Sequence, residues 1–330
     1  MVNMGMFTKT FFKLFPPPKF LNIPYAGLDI SDDAIRCIEY SSNHHGYTLH
    51  RYGTRMLAPG IVEAGYIKNE KALVEAVSSL TKELKIVTVK ASLPEERMYL
   101  FKTEVADTAE SRIRQNIEFK LEENVPLSSA DAIFFFDLLP QVTGESKIFA
   151  SVSVAPRELV NSYLNVLRSS GLTVVSFEIQ PKAIARAVVS HGIADTQMIV
   201  HIMNKKTGLY VVSAGVVCFT STISWGGEMM RNKKTADVSD DIFSLRHEIE
   251  RVYTYWSEHA EGGAIGSIIL SGRDAMAISQ VSHLSPNPNI LLTVANVWHN
   301  AFSEDYYVPE ISLEDSLDYA VSAGLALPQE

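Results

Sequence analysis

The sequence predicts an α/β protein built from two domains of one architecture, with a small β-α-β-β subdomain inserted in the first half. Three observations carry this. The element order βββαβ is legible twice, once before residue 95 and again after residue 193. A block with its own strand and helix pattern, residues 95–155, follows the first copy. And 330 residues suit two interiors better than one. No residue-level repeat is visible, so the duplication is one of element order.

Residues 1–24 stand apart. FTKTFFKLFPPPKF sets Phe7, Phe11, Phe12, Leu14 and Phe15 beside Lys9, Lys13 and Lys19 and stops at three prolines. That pattern fits a short basic amphipathic helix on a membrane surface or in a partner groove, or a tail folded back on its own domain. Strand-like runs follow at Tyr25–Ile30, Ile35–Tyr40 and Tyr47–Met56. In the helix Glu70–Leu84, Leu73, Val77, Leu80 and Leu84 share one face, and the strand Val87–Leu93 ends at Pro94.

The inserted block reads as a strand (Tyr99–Glu104), a helix (Thr108–Glu123) and two strands (Ala132–Leu138 and Ile148–Val154). Its helix carries Ile113, Ile117 and Leu121 at core spacing, with Glu118, Glu122 and Glu123 outside. A helix, Pro156–Ser169, returns the chain to the first domain. The second copy runs through strands Met198–Met203, Gly208–Ser213 and Val216–Ile223, the helix Ile242–His259 and the strand Ile265–Leu270. The charge-free stretch Leu209–Trp225 is at the short limit for a membrane span and is rich in Ser, Thr and β-branched residues, so it reads as a β-hairpin. The expected boundaries are 1–24 for the leader, 25–94 with 156–192 for the first core domain, 95–155 for the insertion and 193–330 for the second core domain.

Composition narrows the function. A formal charge of −9 argues against general nucleic-acid binding, and Arg231-Asn-Lys-Lys234 reads as a solvated loop. Cys37 and Cys218 lie far apart in apolar runs, with no disulfide or zinc pattern, as suits a reducing cytoplasm. No secretory signal, P-loop, dinucleotide fingerprint or G-x-S-x-G elbow occurs. His247-Glu248 begins like a metalloprotease helix, but Arg251 stands where the second histidine would be, and His44-His45 reads as a polar turn.

Local motifs then suggest a family. The leader FFKLFPPPKFLNIPYA is followed by Gly27-Leu-Asp-Ile-Ser-Asp-Asp-Ala-Ile-Arg36, and SLPEERMYLFKTEV introduces the insertion. Ser176–Arg186 reads as a helix start, Ile268-Ile-Leu-Ser-Gly272 as an adenosine loop, and Ala320-Val-Ser-Ala-Gly-Leu-Ala-Leu327 as a closing helix. With the duplicated element order, these resemble the actin-like (ribonuclease H-like) ATPase fold as it occurs in the FtsA and PilM families, and PilM the more closely.

That resemblance implies a cleft where two hairpin turns cradle ATP phosphates through backbone N–H groups, with an aspartate holding Mg²⁺. It places cofactor contacts at Asp29, Ser31, Asp32 and Asp33 in the first turn and at Asn204 and Thr207 in the second. Glu248, Arg251, Gly272 and Arg273 complete the set, and Asp29 is the metal position. The pattern is altered: Ser31 replaces a glycine, His201 replaces the second carboxylate, Met203 replaces the second glycine, and Arg273 replaces the glycine after Gly272. A methionine side chain at the second turn occupies phosphate space. ATP and Mg²⁺ are therefore expected to bind weakly, with Lys205, Lys206 or Arg36 available to substitute for lost contacts, and efficient hydrolysis is not expected.

The resemblance further implies an adaptor of the inner-membrane assembly platform of a type IV pilus or related secretion system. Such a protein is cytoplasmic and peripheral at the inner face of the membrane, and it docks the N-terminal peptide of a PilN-like bitopic protein alongside other platform proteins. Its membrane association is indirect or through the leader. The expected groove is bordered by the insertion, with Phe101, Ile113, Arg114, Ile117 and Phe119 as partner contacts; core packing is the other reading of these apolar residues. The alternative is a nucleotide-binding actin-like ATPase of FtsA type, acting in cell division or polymer assembly at the membrane. FtsA ends in an amphipathic membrane helix, whereas this sequence stops at Leu327-Pro-Gln-Glu330.

Overall fold

The computed structural model describes residues 24–43, 46–105, 110–139, 148–232, 235–259, 263–279, 284–303 and 305–328. Residues 1–23 of the leader, His44-His45 and Lys233-Lys234 lie outside the described residues.

The chain opens with three antiparallel strands, β1 (Ala26–Ile30), β2 (Ala34–Asn43) and β3 (Gly46–Met56). A two-residue ladder, β4 (Val62–Glu63) with β5 (Tyr66–Ile67), leads into helix α1 (Glu70–Glu83). Asn69 caps α1 by accepting from the Ala72 amide at 3.1 Å. Leu73, Val77 and Leu80, one helical turn apart, are buried on its core face. Each contributes roughly 1.5–3 kcal/mol on leaving water, before ordering costs. Strand β6 (Thr88–Leu93) then runs parallel to β1.

The insertion comprises β7 (Tyr99–Val105), α2 (Glu110–Asn124), β8 (Ala132–Leu138) and β9 (Ile148–Pro156). Its sheet has the order β7-β9-β8 and is antiparallel throughout. Alternation along the strands turns Phe101, Val105, Val152, Val154, Phe134 and Phe136 toward Ile113, Ile117 and Leu121 of α2, forming a separate small core. After helix α3 (Arg157–Ser169) comes β10 (Thr173–Ile179), parallel to β6, and then α4 (Gln180–Val188). The stretch Ser176–Arg186, read from sequence as a helix start, thus divides between a strand and a helix. Pro181 in the first turn of α4 explains the break, since proline starts a helix where no amide donor is needed.

The second domain repeats the pattern. Strands β11 (Thr196–Ile202), β12 (Thr207–Ser213) and β13 (Val216–Ile223) are antiparallel. Helices α5 (Gly227–Asn232) and α6 (Thr235–His259) follow, then β14 (Ile265–Ser271) parallel to β11, helix α7 (Ala275–Ser279) and β15 (Leu291–Val294) parallel to β14. Helix α6 begins seven residues before the predicted Ile242, and β15 was not expected. The five-stranded sheets have orders β10-β6-β1-β2-β3 and β13-β12-β11-β14-β15, so strand order and direction match from one to the other.

The chain ends with α8 (Leu313–Ser316) and α9 (Ala320–Ala326), and α9 packs between β1 and α4. Glycine permits this approach. A Cβ on Gly27 would lie inside van der Waals contact of the Ser322 carbonyl oxygen, and one on Gly324 would strike the Ala183 carbonyl. The C-terminal ends of β1, β6, β11 and β14 converge on a cleft between the domains.

Candidate functional site

Six elements meet at the cleft: the β1–β2 turn, the start of α4, the β11–β12 turn, α5, the β14–α7 loop and the segment before α9. They line a cavity of about 40 Å³ whose walls include Asp29, Arg36, Gln180, His201, Met203 and Gly272, and a second one of about 500 Å³ adjoins it, sharing Ser31, Asp33, Met203 and Asn204.

The first turn is internally bonded. The Ser31 amide donates to the Ala34 carbonyl at 2.9 Å, and the Ser31 hydroxyl donates to Asp33 Oδ1 at 2.7 Å. The Ala34 amide returns a bond to that hydroxyl at 3.2 Å. Asp29 is buried, and its Oδ1 accepts from Ser92 Oγ at 2.7 Å and Gln180 Nε2 at 2.9 Å. Burial pushes its carboxyl above the usual aspartate range, against the pull of those two bonds and of the Arg36 charge. Asp32 lines the adjoining larger cavity and accepts from the Ala64 and Gly65 amides at 2.9 and 3.1 Å. Arg36 is buried between Asp33 and Asp318, 3.8 Å from each, and its Nε has no protein hydrogen-bond partner.

The second turn presents a different chemistry. His201 Nδ1 lies 3.2 Å from Ser271 Oγ, and burial together with the charges of Arg36 and Lys206 lowers its pKa to about 3. The ring is therefore neutral across the physiological range. Met203 lines the cavity and closes the turn by donating its amide to the Lys206 carbonyl at 2.9 Å. Asn204 also lines the cavity, with its side-chain oxygen bonded by Arg231 of α5. Lys205 is exposed, and Lys206 pairs with Glu96 at 2.5 Å. Thr207 is fully buried and donates to the Trp225 carbonyl at 2.8 Å, outside the cavity lining.

Gly272 has a φ of +92°, and a Cβ there would collide with the Ile202 carbonyl, so the β14 loop needs glycine to lie against β11. Arg273 turns to Asp318, its Nε 2.8 Å from Oδ2. Asp274 is paired with Arg231. Glu248 and Arg251 pair with each other along α6 at 2.7 Å, and neither lines the cavity.

Of the residues named from sequence, the structure brings Asp29, Ser31, Asp33, Asn204, Gly272 and Arg273 to one cavity and Asp32 to the one adjoining it, and it places Thr207, Glu248 and Arg251 elsewhere. Sequence reasoning missed Gln180, which lies within Ser176–Arg186, and Asp318, two residues before the closing helix. It read Arg231 as part of a solvated loop, whereas Arg231 lies in α5 and pairs with Asp274.

The insertion needs a correction. Ile113 and Ile117 are 1% and 0% exposed inside its core, so neither can touch a docked partner. Their spacing marked the buried face of α2, and Phe101 packs on that core too. Arg114 and Phe119 are on the outer surface; Arg114 sits over the Phe134 ring at 5.1 Å, and Phe119 is 83% exposed. The opposite face of the inserted sheet meets both core domains. Ser151 of β9 donates to the Val217 carbonyl of β13 at 2.6 Å, and Lys182 of α4 lies 2.8 Å from Asp137 of β8. Between α4 with the segment that follows it (residues 189–194), the β12–β13 turn and Asp137 of β8 is a groove of about 450 Å³, whose walls also include Lys182, Arg186 and Gly215. On its other side, β8 pairs with no strand among the described residues.

Paired five-stranded sheets of one topology around a central cleft, with a β-α-β-β insertion, make this a two-domain α/β protein of the actin-like ATPase fold. A solved PilM-PilN type IV pilus biogenesis complex shares that fold, with a TM-score of 0.77 at 18% identity over 92% of this chain and 98% of that one. The ethanolamine utilization protein EutJ from Carboxydothermus hydrogenoformans is more distant, with a TM-score of 0.49 at 13% identity, covering 94% of this chain and 90% of its own. The cytoplasmic domain of EpsL, an inner-membrane component of the type II secretion system of Vibrio cholerae, gives a TM-score of 0.47 at 11% identity over 90% and 94%. The model of the type IV pilus assembly protein PilM matches residues 27–239. The chain belongs to that family. No curated protein sequence matches it.

Proposed function

We propose that this protein is an adaptor of a type IV pilus inner-membrane platform, and that it holds the cytoplasmic N-terminal peptide of a PilN-like bitopic membrane protein. The observation that carries the reading is the groove between β8, α4 and the β12–β13 turn. It joins the insertion to both core domains, and it lies beside a strand whose outer edge pairs with no strand among the described residues. An extended peptide can extend the β8 ladder with backbone hydrogen bonds while its side chains enter the groove, the usual mode for capturing a linear segment. Phe135 of β8 and Lys182 of α4 stand together on this side, the ammonium 5.6 Å from the ring, and offer an apolar and a polar contact.

Among the described residues no helix is long and apolar enough to cross a membrane. In this reading the docked peptide supplies the link to the inner face of the cytoplasmic membrane, and ATP with Mg²⁺ is not required for docking.

The test is fluorescence anisotropy with the labelled cytoplasmic N-terminal peptide of a PilN-like protein from the same organism. Lys182→Glu is expected to weaken binding by about tenfold, a cost of about 1.4 kcal/mol, and Phe119→Asp to leave it unchanged. Loss of binding in Phe119→Asp with full binding in Lys182→Glu moves the peptide to the outer face of α2 and overturns the assignment.

A further inference from the structure

An actin-like fold implies a nucleotide between its two cleft turns, and the side chains here do not fit one. The cavity at Asp29 and Gly272 holds about 40 Å³, space for a few water molecules, and the roomier cavity of about 500 Å³ that adjoins it between the same two turns is lined by Asp32, Asp33, Glu63 and Glu228 beside Lys205 and Lys206. Of the cations around them, Arg231 is engaged by Asp274 and Asn204, Arg273 by Asp318, and Lys206 by Glu96. The remaining carboxylates repel an anion. Two buried polar atoms at the smaller cavity, Arg36 Nε and Gln180 Oε1, have no protein partner, and in a space of this size water is the natural one.

We propose that the two domains are latched together by their own side chains in place of a bridging nucleotide, with Asp318 as the central counter-ion. Asp318 is held on the first sheet by its neighbour Tyr319, which accepts from Thr54 of β3 at 2.9 Å and packs edge-on against Tyr52. From there it meets Arg36 of the first domain and Arg273 of the second. The latch has a second bolt at Glu95 and Glu96, which follow β6. Glu95 is buried and accepts from Tyr210 of β12 and, at 2.9 Å, from Thr222 of β13. Glu96 takes Lys206 of the β11–β12 turn. Both bolts join groups of the first sheet to groups of the second. A clamp closed in this way keeps its shape without nucleotide turnover, as suits a fixed platform component.

Hydrogen exchange on the full chain tests the latch. In Asp318→Asn, Arg36 and Arg273 face each other without their shared anion, and amides in the β1–β2 and β11–β12 turns are expected to exchange about tenfold faster. Arg273→Met, at a half-exposed position that folding tolerates, is expected to give an increase in the same segments. Millimolar Mg-ATP is expected to change neither exchange nor melting temperature in the wild type. Unchanged exchange in both variants, or slowed exchange of the wild-type turns with Mg-ATP, overturns the proposal. Peptide anisotropy on the wild type reports on the docking reading separately, because the exchange result is read at the two cleft turns with no peptide present.

Discussion

The β1–β2 and β11–β12 turns occupy equivalent places in sheets of one topology, yet they are built on opposite electrostatics. The first is acidic and polar: Asp29 sits at its base under two side-chain donors, and the Ser31 hydroxyl ties the turn to itself. The second is basic and has no carboxylate: Lys205 and Lys206 stand in it, His201 is held uncharged, Met203 lines the cavity wall, and Gly272 of the next loop presses against the strand end. A ligand with a triphosphate and a metal needs both turns to offer backbone amides and at least one carboxylate. The difference therefore teaches that one shared topology does not preserve a shared site, because a few side chains at a strand end decide what the cleft can hold.

The largest effect that would sharpen this comparison is expected at the second turn. Gly272→Val combines a positive φ, which a β-branched residue does not adopt, with a collision against the Ile202 carbonyl. A loss of roughly 4 kcal/mol in urea unfolding is expected. Near-wild-type stability would mean that the β14 loop moves freely and that the tight second turn is not a fixed feature.

At the first turn, Asp29→Ala leaves Ser92 and Gln180 buried without their acceptor, a loss of roughly 2 kcal/mol. The two turns should also separate by pH. Asp29 has a raised folded-state pKa, so its contribution is greatest below its unfolded value and is lost as pH rises through the folded one. His201 has a depressed folded-state pKa of about 3, so its contribution is present above its unfolded value near 6.5 and is lost as pH falls from there toward 3. His201→Gln removes that titration. Relative to this variant, the wild type is expected to lose about 2 kcal/mol of stability between pH 7 and pH 5. A constant difference across that interval would show that the ring is not buried as a neutral group.

The sheets and the insertion were legible because alternation and 3.6-residue periodicity are local signals that survive in one sequence. The groove was not, because Asp137, Lys182 and Gly215 belong to three separate segments that only the tertiary fold assembles. Ile113 and Ile117 misled for a related reason: an apolar helix face shows that something covers it, and here the cover is the insertion's own sheet. In the cleft, Ser31 and Met203 could be read directly as standing where the resemblance implies glycine. The pairing of Arg36 and Arg273 on Asp318 depends on how the C-terminal segment returns to the first sheet, and no motif spacing records that.

The smallest expected effect asks whether the first turn alone limits the cleft. Ser31→Gly restores the glycine that the family pattern favours and removes a hydroxyl bonded to Asp33, Ala34 and Arg36. The cost is about 1 kcal/mol, since the bonds are local and part-exposed and water replaces some of them. If serine were the obstacle, the variant would gain a melting shift with Mg-ATP. No shift is expected, because Met203 still lines the far wall and Arg231 and Arg273 remain engaged by Asp274 and Asp318. A rise of several degrees with millimolar Mg-ATP would place the barrier in one residue of the first turn and remove the reason for treating the second as the decisive one.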